Sequence, residues 1–389
     1  MINFDLNSPN QLLINPKTSI DEKNTLFELK TEFEKTFGVL GYFLLASSGS
    51  SQKSDESVKL VALKKESVLN SGRRFNQYFN ANHNAHWGLV LPEFHVAGLG
   101  VKARAFLAGA RVFIRNWQVE GLADWINENN IYYISMVPTQ IYDLVQRQLA
   151  APFIIKKIFV GASFLSADLY FRAKQLGWPI VETYGMTETA SMIAVKESEL
   201  YHVLPGVEVK TESELLSIKC NSLMTARIQK LQGQICIQKL LCIQKLQAEA
   251  WYQTEDRAEF VTSGDLSAFK LLGRDSDYIK ILGEGVSLRE LRRQLADIIL
   301  VKNSVIGQIE LLAVDDERAG FKLILAVENA LDLTLAKTLL EHYNNECRAY
   351  EKIQQCVVIE KIPRSLLGKL KTDELKHRVI EALNKGLYG

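Results

Sequence analysis

Apolar positions along the chain change their spacing several times, and each change predicts an element. Residues 19–37 are polar except for spaced positions such as Leu26, Leu29 and Phe33, which predicts an amphipathic helix. Ser19 and Glu22 stand at capping-box spacing at its start. Residues 39–46 read as a buried strand, followed by a Ser/Gly-rich loop. Leu60-Val61-Ala62-Leu63 predicts a short strand and residues 66–79 a helix. Val112-Phe113-Ile114, Tyr132-Tyr133-Ile134-Ser135-Met136-Val137 and Lys157-Ile158-Phe159-Val160 read as strands, with helical stretches such as 118–128 and 140–149 between them. Trp178-Pro179-Ile180-Val181 reads as the end of another buried strand. This alternation predicts an α/β sheet that binds ligands at the carboxyl ends of its strands. Short strands and turns follow over about 203–270, and helix and strand alternate again from 276.

Composition narrows the classes. A length of 389 residues suits about two or three domains. Hydrophobic residues make up 47% and charged residues 23%, the balance of an ordinary globular protein. A formal net charge of +1 gives no electrostatic case for nucleic acid. From Lys361 onward, seven Lys or Arg stand against three Asp or Glu, which reads as a solvated helix face or a contact for an anionic ligand. No apolar run reaches the roughly 18 residues of a membrane span. Met1-Ile2-Asn3-Phe4-Asp5 lacks the basic-then-apolar pattern of a signal peptide, and a cytoplasmic location is expected. Cys220, Cys236, Cys242, Cys347 and Cys356 form no CxxC pair and fit reduced thiols. His83 and His86 lack a third ligand nearby in sequence, so metal is not expected there. Ile228-Gln229-Lys230-Leu231 recurs from Ile237 and from Ile243, a local duplication or a set of alternating strands too short for a solenoid.

Two segments carry candidate chemistry. Tyr184-Gly185-Met186-Thr187-Glu188-Thr189 gathers an aromatic ring, a glycine, hydroxyls and a carboxylate. Such a segment can stack a base, let phosphate approach the backbone and hold Mg²⁺ through Glu188. Ser47, Ser48, Gly49, Ser50 and Ser51 follow a strand and offer N–H groups and hydroxyls to anionic oxygens, although a serine-rich linker looks the same.

Together with others in order, these segments resemble the adenylate-forming enzymes: acyl-CoA synthetases, aryl-acid ligases, peptide-synthetase adenylation domains and luciferases. Tyr184 to Thr189 resembles YGxTE, and Ser47 to Ser51 resembles the [TS]SG[ST][TS]GxPK loop. The later Gly and Pro of that loop are absent, and Lys59 is the matching lysine. Leu91-Pro92-Glu93-Phe94-His95-Val96-Ala97-Gly98 resembles PLFHxxG, which sets His95 near the acyl pocket. Val137-Pro138-Thr139-Gln140 resembles VPT, and Val160-Gly161-Ala162-Ser163 resembles the GGA-like turn beside adenine and acyl group. Ser263-Gly264-Asp265-Leu266 resembles TGD, whose Asp accepts from the ribose hydroxyls. Gly273-Arg274-Asp275-Ser276-Asp277-Tyr278-Ile279-Lys280 resembles GRx[DK]DxIK, with Arg274 on the ribose and Ser276 at the interdomain hinge. Gly283-Glu284-Gly285-Val286 resembles GE[NG][IV]. Pro363-Arg364-Ser365-Leu366-Leu367-Gly368-Lys369-Leu370 resembles PRxxxGK[IL], with Lys369 as catalytic lysine. Within the superfamily, the segments around His95, Pro138, Tyr184 and Pro205 look most like the o-succinylbenzoate–CoA ligase family of menaquinone biosynthesis.

The resemblance implies a large α/β N-terminal domain over 1–275, with a β-rich part near 203–270, and a mobile α+β C-terminal domain over 276–389. It implies an acid–thiol ligase that uses ATP, Mg²⁺ and coenzyme A on a carboxylic acid, with Lys369, Glu188, Thr187 and His95 as catalytic residues. ATP would lie across Ser47 to Ser51, with Gly161, Ala162, Tyr184 and Gly185 around adenine and Asp265 and Arg274 on the ribose. Family members carry a large subdomain before the phosphate loop, and here that loop starts at Ser47. The sheet edge left open is expected to be covered, and a second copy of the chain is one way. Other acids, a carrier-protein thiol, and a non-catalytic binding protein on the same scaffold remain alternatives.

Overall fold

The computed structural model describes the chain except residues 1, 48–58, 164, 232–233, 240–249, 264–265, 275–276, 283, 302–308, 317, 329–332, 366–367, 369 and 386–389. Ser48, Gly49, Ser50, Ser51, Asp265, Ser276 and Lys369 therefore lie outside the described residues. The chain divides into two compact units, one mainly of residues 1–271 and one mainly of 272–389.

The first unit begins with β1 (Gln11–Leu13), α1 (Ile20–Phe37), β2 (Tyr42–Ser47), β3 (Lys59–Lys64) and α2 (Lys65–Phe79). There follow β4 (Trp87–Leu89), α3 (Val96–Ala108), β5 (Val112–Ile114), α4 (Leu122–Glu128), β6 (Tyr133–Met136), α5 (Pro138–Gln146), β7 (Lys157–Val160), α6 (Ala167–Gln175) and β8 (Ile180–Met186). The β-rich part holds β9 (Ser191–Glu197), β10 (Leu200–Val203), β11 (Val207–Glu212), β12 (Leu215–Cys220), β13 (Ala226–Leu231), β14 (Gln234–Lys239), β15 (Tyr252–Ser263) and β16 (Leu266–Arg274).

Two sheets result. The smaller has the order β1-β2-β3-β13-β14. Its central strands are apolar on both faces, and side-chain alternation divides them. Leu44, Leu60 and Ala62 pack on Leu26, Leu29 and Phe33 of α1. Phe43, Leu45, Val61 and Leu63 pack with Val68, Leu99 and Ala103 of α2 and α3. α1 starts as its sequence indicates, with the Ser19 hydroxyl accepting the Glu22 N–H at 3.2 Å. The strand expected from Val39 begins only at Tyr42, because Gly38 and Gly41 bend the chain at φ of +87° and +88°. The first two copies of the repeat start on the paired strands β13 and β14 and meet only at their first residues, Ile228 opposite Ile237. The third lies outside the described residues.

The larger sheet runs β11-β12-β15-β16-β10-β9-β8-β7-β6-β4-β5. It is parallel from β8 to β5 and turns antiparallel at β9. Ile134, Met136, Ile158 and Val160 pack against Ile126, Ile141, Leu144 and Trp178 on one face. Trp87, Tyr133 and Phe159 form an aromatic cluster with Phe75 on the other. Both faces are covered, which is why these strands read as unbroken apolar runs. β8 corrects the sequence reading. It does not end at Val181 but continues to Met186, because Thr183 to Met186 pair with β9. Its polar middle is satisfied within the sheet: Lys196 of β9 reaches Glu182 at 3.0 Å.

The second unit holds β17 (Tyr278–Ile281), β18 (Glu284–Ser287), α7 (Leu288–Val301), β19 (Ile309–Asp316), β20 (Gly320–Val327), α8 (Leu333–Glu346), β21 (Ile353–Val358) and α9 (Thr372–Asn384). The sheet β19-β20-β21 alternates its apolar residues between two cores. Leu311, Ala313, Leu323 and Leu325 face Leu291, Leu295, Leu339 and Tyr343 of α7 and α8. Leu312, Val314, Ile324 and Ala326 face Leu375, Val379 and Ala382 of α9.

One buried charge ties the start of the first unit to its core. Lys65 is 0% exposed. Its ammonium donates to the carbonyls of Pro9 at 3.1 Å and of Asp5 and Ser8 at 3.3 Å, and to the Ser8 hydroxyl. Lys65→Met removes the donors and leaves buried carbonyls unanswered, so it should destabilise the unit by about 1–3 kcal/mol. All five Trp lie in the first unit, so urea unfolding followed by their fluorescence reads this unit. An unchanged midpoint would show that the cage contributes nothing.

Candidate active site

Four of the segments singled out above emerge side by side. β4, β6, β7 and β8 are parallel neighbours, so their carboxyl ends share one edge of the sheet. Residues 90–95 follow β4, Val137 follows β6, Gly161 follows β7, and Thr187 follows β8. Gln140 clamps two of these ends together. Its amide accepts the Val137 N–H at 3.1 Å and donates to the Val90 carbonyl at 3.2 Å. α3 sits directly on the β4 exit, since a Cβ on Gly98 would lie 2.3 Å from the Pro92 carbonyl oxygen. Gly161 is held as closely: a Cβ there would lie 2.8 Å from the Thr183 hydroxyl, which donates to Val160. Ala162 then takes a left-handed φ of +72°, a strained conformation for a residue with a side chain and one that concentrates at functional sites.

The β8–β9 junction is the tightest point. The ladder shifts register between Tyr184 and Gly185, and a Cβ on Gly185 would lie 2.2 Å from the Ser191 carbonyl oxygen. A 3-10 turn, Thr187–Thr189, fills the reversal. The buried Thr189 hydroxyl accepts the Met186 N–H at 3.1 Å and lies 2.8 Å from the Ser191 carbonyl oxygen. Ala190 and Ser191 complete the turn at φ of +54° and +95°. Tyr184 is 9% exposed, with its ring edge-on to Phe269 and Tyr201 at 5.3 and 5.9 Å. Glu188 receives Arg227 at 2.7 Å, and the same guanidinium nitrogen lies 3.1 Å from the Tyr252 hydroxyl. Arg227 stands on β13, so this ion pair joins the turn to the smaller sheet.

The structure thus brings Gly161, Ala162, Tyr184, Gly185, Thr187 and Glu188 onto two adjacent strand ends. His95 lies on the same edge, at the start of α3. Burial holds its pKa down at about 4, so the ring is neutral near pH 7. Ser47 lies in the smaller sheet, directly across from Lys59, so the serine-rich stretch connects the two ends of a hairpin. Arg274 belongs to the second unit, where its Nε is 3.5 Å from Asp256. As a donor set, Glu188 and the neighbouring hydroxyl of Thr187 fit Mg²⁺ in the manner usual for nucleotide enzymes, with one or two carboxylates completed by phosphate oxygens.

One buried cation that reaches the β8–β9 turn escaped the sequence reading. Arg104 of α3 is 3% exposed, and burial lowers its pKa to about 9. Its guanidinium lies over Phe75 at 4.2 Å and donates to the Ser191 hydroxyl at 3.1 Å. Its Nε finds no acceptor, and no carboxylate pairs with it among the described residues. The available signal was a lone arginine inside the small and apolar run Ala103-Arg104-Ala105-Phe106-Leu107-Ala108.

Residues 57–238 match the AMP-binding enzyme family. The 2-succinylbenzoate–CoA ligase of Lactococcus lactis is 24% identical over 79% of this chain and 66% of that enzyme. The corresponding ligase of Staphylococcus aureus is 34% identical over 125 residues, 32% of this chain and 25% of that enzyme. The chain therefore spans just under two thirds of the length of the first of these relatives and a quarter of the second. Among solved structures, the o-succinylbenzoate–CoA synthetase of Bacillus subtilis in complex with its acyl-adenylate intermediate superposes at a TM-score of 0.75 and 19% identity, covering 94% of this chain and 83% of that one. The same enzyme with ATP and magnesium ion gives 0.69 at 20% identity, covering 86% and 69%. The fold is that of the adenylate-forming enzymes. Within that class, these likenesses in sequence and structure are to the o-succinylbenzoate–CoA ligases.

The low pKa of His95 has a measurable consequence. Unfolded, the ring protonates near 6.5; folded, only near 4. Between those values the unfolded state binds more protons, so stability should fall as pH falls from about 6.5 to about 4. His95→Gln should flatten that part of the stability–pH profile. An identical slope in the variant would place the pH dependence elsewhere.

Proposed function

We propose that this chain is an ATP-dependent, AMP-forming acid–CoA ligase that works through an acyl-adenylate. The observation that carries the reading is the shared strand edge, where the segments that resemble the acyl, adenine and metal motifs of the adenylate-forming enzymes converge. The named relatives support o-succinylbenzoate, or an acid much like it, as substrate. Arg104 supports the same choice. A desolvated guanidinium with an unanswered Nε, bonded to Ser191 just after the Thr189–Ala190 turn, suits a second carboxylate on the acid. No helix among the described residues is long and apolar enough to cross a membrane, and we place the enzyme in the cytoplasm.

In this reading ATP lies along the serine-rich hairpin connection, with adenine between Gly161 and Tyr184 and the ribose on Asp265 and Arg274. Mg²⁺, when bound, neutralises phosphate charge beside Glu188. The substrate carboxylate attacks the α-phosphorus and pyrophosphate leaves. Lys369 stabilises the charge that develops between carboxylate and phosphate. Neutral His95 and the Ala162 turn border the acyl group. The second unit then turns about Ser276, and the CoA thiol attacks the acyl carbonyl to release AMP. The Glu188–Arg227 ion pair favours one other reading, a nucleotide-binding protein that does not turn over, because Arg227 already neutralises the carboxylate.

ATP–pyrophosphate exchange across a panel of carboxylic acids separates the two. Exchange should appear with aryl acids carrying a second carboxylate, and no exchange with any acid would leave the binding protein. Lys369→Ala should cut exchange by roughly 10²-fold or more, while thioester formation from supplied acyl-adenylate persists. Equal loss in both half-reactions would remove Lys369 from adenylation. Arg104→Met should raise KM for a dicarboxylic aryl acid by roughly 10- to 100-fold and leave a monocarboxylic analogue unchanged, the scale of one hydrogen-bonded charge. Parallel changes for both acids would deny Arg104 that role.

A further inference from the structure

The loop between β21 and α9 is braced from within. The Pro363 carbonyl accepts the Lys371 N–H at 3.0 Å, and the Ser365 carbonyl accepts the Gly368 N–H at 2.8 Å. Arg364 and Leu370 form an isolated antiparallel bridge. Gly368 takes a φ of +71°, so the chain reverses there in a conformation that favours glycine. The incoming leg of the loop is pinned below this point. Glu328 accepts the Ile362 N–H at 3.1 Å, and Arg378 donates to the Lys361 carbonyl at 3.0 Å.

The side chain of Arg364 turns back into the loop it belongs to. Nη1 donates to the Gly368 carbonyl at 3.2 Å, and Nη2 donates to Glu310 at 2.6 Å. Both members are largely buried, at 25% and 17% side-chain exposure. Glu310 lies on β19, opposite Ala326 of β20, on the framework of the second unit. The Gly368 carbonyl belongs to the peptide that continues into Lys369. A direct mechanical chain therefore runs from the sheet through Glu310 and Arg364 to the backbone entering Lys369.

We propose that the Glu310–Arg364 pair is a positioning device for Lys369 in the adenylation step; this rests on the function proposed above. A guanidinium suits the task because its planar fork can hold a carboxylate and a carbonyl at once, which an ammonium does less rigidly. The pair is also shielded enough to keep its geometry, unlike the exposed ion pairs of α7 and α9. Neither residue touches substrate; both act through the backbone. A lysine that must meet developing charge gains from such bracing, since a misplacement of about 1 Å can cost about 10²-fold in rate.

The test uses the full-length chain with Arg364→Gln, Arg364→Lys and Glu310→Gln. Hydrogen exchange over residues 363–371 should accelerate in all three, with α7, α8 and β20 unchanged. Adenylation should fall roughly 10- to 100-fold, with thioester formation from supplied acyl-adenylate unchanged. Arg364→Lys should recover part of the loss. On a Lys369→Ala background, Arg364→Gln should add nothing further. Unaltered exchange in the loop, equal loss in both half-reactions, or full additivity with Lys369→Ala each overturns the proposal. A variant that unfolds would lose protection across the whole second unit, and Glu310→Gln, which keeps size and shape, then decides. If the wild-type chain adenylates no acid, the function reading falls and takes this role with it; unaltered loop exchange overturns this role alone.

Discussion

Gly185 has no room for a side chain, since a Cβ there would lie 2.2 Å from the Ser191 carbonyl oxygen, and the candidate site depends on this fit. A side chain at 185 would occupy the space of the Ser191 carbonyl. Its absence lets the chain reverse within one short turn, so that β8 is parallel to β7 on one side and antiparallel to β9 on the other. That switch ends the parallel sheet and opens a ledge at its carboxyl edge, the place where open α/β sheets bind ligands. It also sets two side chains in different directions. Glu188 faces Arg227 on the smaller sheet, and the Ser191 hydroxyl faces Arg104 on α3. Three layers thus meet at one turn, and the Thr189 hydroxyl holds that turn closed from inside.

Much of the fold was legible because local and tertiary preferences agree. β7 has the bounds its apolar run indicates, and α1 has its cap and its buried Leu26, Leu29 and Phe33. The helix expected over 118–128 begins late, at Leu122, because Gly121 holds a φ of +67°. β8 was cut short for a different reason: Glu182 and Thr183 look like a strand's end until Lys196 and the Val160 carbonyl are seen to answer them. The strand-end segments were legible because each combines small residues, which close approach demands, with the polar groups that chemistry demands. Lys65, Arg104 and Arg227 were not. Their partners lie far along the chain, at Asp5, Ser191 and Glu188, and no local pattern encodes such pairings.

Three buried cations of the first unit show how function can be separated from architecture. Lys65 satisfies its charge on main-chain carbonyls. Arg74 satisfies its own on the Pro205 carbonyl at 3.0 Å and two side chains, the Ser222 hydroxyl at 3.1 Å and the Asn221 amide oxygen at 2.7 Å. Each joins segments distant in sequence, and each is complete as it stands, which marks a structural tie. Arg104 is as deeply buried, yet it leaves Nε unanswered and shares only one hydroxyl. Burial without satisfaction costs free energy that a folded protein gains nothing by keeping. An anionic ligand group removes that cost when it binds, and the residue that Arg104 already holds, Ser191, stands at the mouth of the turn that shapes the site. The incomplete cation is therefore the one we propose for chemistry, and the complete ones tie the fold.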